Sequence, residues 1–96
     1  MQLTIYHPGT SAAWADALFA SVLQRSDNPS AGQVRKAIAA AVRAYGGLGC
    51  VQRVAQEFGD HPETAVTRMR WALETVRLVY PAQHRSGPRL RLALAS

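Results

Sequence analysis

Helix breakers recur along this chain at His7-Pro8-Gly9, Asn28-Pro29, Gly46-Gly47, Gly59 with Pro62, and Pro81, and between them apolar residues repeat every three or four positions. That combination confines the chain to short helices that must pack on one another, because a helix of about 12–15 residues is marginal in water by itself. Four helices are expected. Thr10 or Ser11 caps the first, in which Ala13, Ala17, Ala20 and Trp14, Leu18, Val22 recur as far as about Arg25. Ser30 caps the second, with Val34, Ile38, Ala41, Val42 and Tyr45 at helical spacing until Gly46-Gly47. Leu48 to Phe58 makes a shorter third, with Val51, Val54, Ala55 and Phe58 on one side and Gly59 as its stop. Asp60 and Glu63 stand at capping-box spacing, and Pro62 between them suits a first helical turn. Val66, Met69, Leu73, Val76 and Tyr80 then form the buried stripe of the fourth helix, which Pro81 ends.

The two ends of the chain read differently. Gln2, Leu3, Thr4 and Ile5 alternate polar and apolar before the turn at His7, and Arg89-Leu90-Arg91-Leu92-Ala93-Leu94 alternates strictly. An isolated strand leaves backbone groups unpaired, so the two segments are expected to pair, either within one chain or exchanged between subunits. The fold class expected is mainly α: a four-helix orthogonal bundle in a single domain over residues 1–80, followed by a basic tail over 81–96 with a short strand at 89–94.

At 96 residues, 48% of them apolar, the chain has room for one core and not for two domains. A chain this short buries only about 60–65% of its unfolded surface, so a homodimer is expected to add to its stability. The net charge of +5, carried by ten Arg and one Lys against six acids, favours an anionic partner. Abundant Arg beside 17 Ala also follows from codon usage in a GC-rich genome, so charge alone does not name a site. No run approaches the ~18 apolar residues of a membrane span, and the first ten residues lack the basic start and apolar run of a signal peptide. With a single cysteine, Cys50, this reads as a cytoplasmic chain in a reducing compartment.

Residues 51–71 hold a small Ala55 where two helices cross, Gly59 four residues later, Pro62 and Thr64 opening the next helix, and an Arg-rich continuation. This stretch resembles the helix-turn-helix of small bacterial transcriptional regulators and of sigma-factor promoter-binding domains, with residues 34–45 as a supporting helix. The resemblance implies close helix approach at Ala55, left-handed backbone at Gly59, and a recognition helix from Pro62 to Arg70 that enters the major groove. If Val66, Met69, Leu73 and Val76 face the core, Thr64, Thr67, Arg68 and Trp71 lie on the outer face, beside Glu63 and Arg70 and close to His61. Arg donates bidentately to guanine, and Thr meets a phosphate or a thymine methyl. Arg43 and Arg53, with Arg35, Lys36 and the tail residues Arg85, Arg89 and Arg91, then supply phosphate contacts. The function so implied is a DNA-binding regulator, dimeric through the first helix with its Trp14, Leu18, Phe19 and Val22.

A second reading starts from charge. Residues 50–80 contain four Arg and four acids, so the helix pair itself is neutral. The chain then reads as a helical module that binds a protein, with Trp71 and Leu78 as anchors, Arg70 and Arg77 at the rim, and Trp14 and Leu18 completing the interface residues. Neither reading needs a cofactor. Gly46-Gly47-Leu48-Gly49 lacks the Lys-Ser/Thr of a phosphate-binding loop, and His7, His61, His84 and Cys50 match no metal-ligand spacing. Cys50, at a helix start, is a candidate for a lowered thiol pKa, though a buried small apolar role is several times more common; no base is placed for it and no carboxylates pair at helical spacing, so an enzyme is not expected.

Overall fold

A computed structural model describes residues 11–81, and the expected terminal strands at residues 2–5 and 89–94 lie outside them. Three helices follow in order: α1 (Ser11–Ala20), α2 (Ala31–Asp60) and α3 (Pro62–Val79), with a 3-10 turn (Arg25–Asp27) between the first two. No strand occurs among the described residues, and no helix there is long and apolar enough to cross a membrane.

The count is three rather than the expected four because the second and third predicted helices run together as α2. Gly46 alone leaves helical geometry, at φ 74° and ψ 167°, a region that belongs essentially to glycine. The helix folds sharply there. Nine residues of straight helix span about 13.5 Å, yet the Cys50 thiol donates to the Ala41 carbonyl at 3.7 Å. Arg53 closes the same bend, its guanidinium 4.1 Å from the Tyr45 ring centre. The N-terminus of α2 is capped as the sequence predicts: Ser30 Oγ accepts from Gln33 N–H at 3.2 Å, and Gln33 Oε1 accepts from Ser30 N–H at 2.8 Å.

Apart from Ser11 and Asp16 helix α1 is apolar, and it is correspondingly buried on several sides, with Ala15, Ala17, Leu18 and Phe19 inside the core. It packs against both α2 and α3, and its alanines let them come close. Val34 and Cys50 from α2 and Val76 from α3 are the largest fully buried side chains beside Leu18. α1 ends at Ala20, five residues short of the expected Arg25. The Ser21 hydroxyl donates back to Leu18 O at 2.6 Å, and Asn28 takes the left-handed conformation (φ 51°) that ends the 3-10 turn.

Two expectations about α3 are corrected. Its buried stripe is Ala65, Ala72 and Val76: Ala65 is 2% exposed, whereas Val66 is 39% and Leu73 37% exposed. Val66 and Leu73 lie toward solvent, while Val76 is buried as expected and Met69 and Tyr80 pack against the core from partly buried positions. The Asp60–Glu63 capping box does not form either. α2 continues through Gly59 and Asp60, His61 N–H bonds to Glu57 O at 2.7 Å, and α3 begins at Pro62 without a side-chain cap. Gly59 is helical, not left-handed; Gly46 is the described glycine with positive φ.

Candidate binding faces of the helical domain

Arg68 decides which surface α3 presents. One helical turn beyond Ala65, its side chain runs along the buried face to the end of α1. Nε donates to Phe19 O at 2.9 Å, and Nη2 donates to Ser21 O at 3.1 Å, Leu23 O at 2.8 Å and, at 3.4 Å, Leu18 O. The last carbonyls of a helix have no partners within it, and the guanidinium satisfies several of them together while its charge meets the negative helix end. The group also lies 5.6 Å from the Phe19 ring centre and 5.1 Å from that of Trp71. Burial lowers its pKa from the usual guanidinium value, and Glu57 nearby partly opposes that. Arg68 is therefore a fastener between α3 and α1, not a free donor on the outer face.

The remaining residues expected at a reading head are exposed. His61, Glu63 and Thr64 line a shallow hollow with Pro62 at the start of α3, and Thr67 donates its hydroxyl to Glu63 O at 3.2 Å. Arg70 is exposed on the same side, but Glu63, Arg70, Glu74 and Arg77 alternate in sign along the helix. Such a face carries no net charge. Ala55, expected at a helix crossing, is exposed.

Of the expected protein-contact residues, Leu18 is fully buried and serves the chain's own core, as does Phe19; neither is available to a partner. Trp71 is half-buried, and Leu78, 81% exposed, is among the most exposed large apolar residues of the described chain. The two line a cleft between α3 and the segment before α2, together with Pro29, Val79, Arg25 and Glu74. Trp14 faces elsewhere. Its ring stacks on Tyr80, centroids 3.8 Å apart, and the pair borders a second groove against α2 that includes Arg43. Burial raises the Tyr80 hydroxyl pKa, with Arg35 acting against it. The two clefts are each about 420 Å³, so chemistry rather than size distinguishes them. Periodicity could not have found the Trp14–Tyr80 pair, because one member lies on α1 and the other just past the end of α3, at opposite ends of the described chain.

Cys50 is buried at the bend, and its thiol is pushed up by burial and by Asp16, against the opposing effect of Arg53. This corrects the expectation of a lowered value at a helix start: burial of the thiol, with Asp16 nearby, sets the direction although a helix resumes just after the kink at Gly46. Among the described residues no three His, Cys, Asp or Glu side chains come together as a metal site would require. Comparison with protein-family models, curated proteins and solved structures finds no match to the chain.

Proposed function

We propose that this chain is a small helical protein-binding module whose partner contacts the Trp71–Leu78 cleft of α3. The observation that carries the reading is Arg68: with its guanidinium held on the α1 carbonyls, the strongest base-reading donor expected of α3 is occupied. The sign-alternating outer face adds to this, since DNA affinity rests mainly on cations aimed at phosphates. An exposed Leu78 beside a half-buried Trp71, rimmed by Arg25 and Glu74, has the apolar centre and polar edge of a protein interface.

The DNA-binding regulator, with its homodimer, is the second reading. The exposed His61, Thr64, Thr67 and Arg70 at the start of α3 favour it. Site-specific photo-crosslinking separates the two. A crosslinker at Leu78 is expected to capture one protein, with capture lost in the Trp71→Ala variant while the domain stays helical. A crosslinker at Thr67 that captures DNA, with Leu78 capturing nothing, would replace the first reading by the second.

A further inference from the structure

The groove beside Trp14 has a chemistry that the Trp71–Leu78 cleft lacks. It is lined on α2 by the exposed Ala39 and the half-buried Val42, and by the stacked Trp14 and Tyr80 rings. Arg35 and Arg43 flank it along α2, and among the described residues no acid lines it. By helical rise they lie about 12 Å apart on the axis, two turns of helix. Lys36, exposed next to Arg35, adds a third cation, and residues 31–45 contain no Asp or Glu. Small and apolar in the middle and positive at both ends, this surface is complementary to a helix with the opposite arrangement.

We infer that the groove between Arg35 and Arg43 docks an acidic amphipathic helix of a partner protein, whose carboxylates, two turns apart, pair with the two arginines while small or apolar residues between them pack on Ala39, Val42 and the Trp14–Tyr80 stack. Arg suits this role because its planar fork meets a carboxylate at two points. Residues 1–10 and 82–96 contain no Asp or Glu. A second copy offers no pair of exposed acids two turns apart on one helix: Glu57 and Asp60 on α2 are one turn apart, Glu63 and Glu74 on α3 are three turns apart with Arg70 between them, and the α1 acid Asp16 is half-buried. The groove is distinct from the Trp71–Leu78 cleft, so either site can fail without the other.

The test is selection of a displayed library of amphipathic helices in which positions i and i+7 vary among Glu, Gln and Lys. On the wild-type chain, Glu at both positions is expected to be enriched. On the Arg35→Glu/Arg43→Glu variant, Lys at both should replace it, and the wild-type winner should bind at least tenfold more weakly. Both arginines are exposed, and an unchanged helical spectrum checks the variant's fold. Trp71→Ala should leave this binding intact. No charge preference in the selection, or winners that bind the reversed variant equally well, would overturn the inference. So would random-sequence duplex DNA displacing the winning helix from the wild-type chain, since that would make the groove a phosphate-binding face.

Discussion

At the scale of single residues, Arg68 links the fold to the functional reading. One side chain meets four carbonyls at the end of α1, so Arg68→Ala leaves them without their charged donor and is expected to cost about 2–3 kcal/mol. Arg68→Lys should recover less than half, because an ammonium cannot reproduce the fork. Urea unfolding reads this as a lower midpoint at unchanged slope; an alanine variant within 0.5 kcal/mol of wild type would mean the carbonyls do not need the guanidinium. Asp16 makes the opposite kind of prediction. Its carboxyl is raised above 3.8 by burial, so its neutral form is the one the fold prefers, and that contribution is present at low pH and lost as pH rises through the folded value. Asp16→Asn should therefore raise the melting temperature at neutral pH, with the gain vanishing below about pH 3.8. The sequence revealed neither role. Helical spacing can put Arg68 on a face but cannot say that another helix ends beside it.

Among the elements, two glycines test the description of α2. Gly46 sits where a side chain is strained, so Gly46→Ala should destabilise by about 1–3 kcal/mol even though nothing lies within 4 Å of the added methyl. Gly59 is helical with open space around it, and Gly59→Ala should be neutral or stabilising by up to about 1 kcal/mol. A large loss at Gly59 would restore the left-handed turn and with it the helix-turn-helix geometry. Thermal melts of the two variants suffice. The elements were legible where local chemistry sets them: Ser30 as a cap, Pro62 at a first turn, the break at Gly46 and the stop before Pro81 all stand where the sequence puts them. The end of α1 and the rotation of α3 were not, because packing against alanines decides both. Ala65 and Ala72 carry too little apolar signal to outweigh Val66 and Leu73 in a periodicity argument, yet both are buried.

Across the whole molecule, α1 is the shared core and the other two helices present the surfaces. The missing polar face of Ser11–Ala20 is the sequence sign of that central position, and it removes Leu18 and Phe19 from any partner interface. What remains exposed is divided by chemistry: an α3 face of alternating charge, an apolar cleft at Trp71 and Leu78, and a groove with a cation at each end between Arg35 and Arg43. On this division the chain is expected to attract nucleic acid through its general positive charge without reading sequence. Selection from a random pool of duplex DNA tests that most directly. Weak, salt-sensitive retention with no enriched motif is expected, with the same pool retained by Thr67→Ala and Arg70→Ala. An enriched motif that either substitution abolishes would contradict it and make α3 a recognition helix.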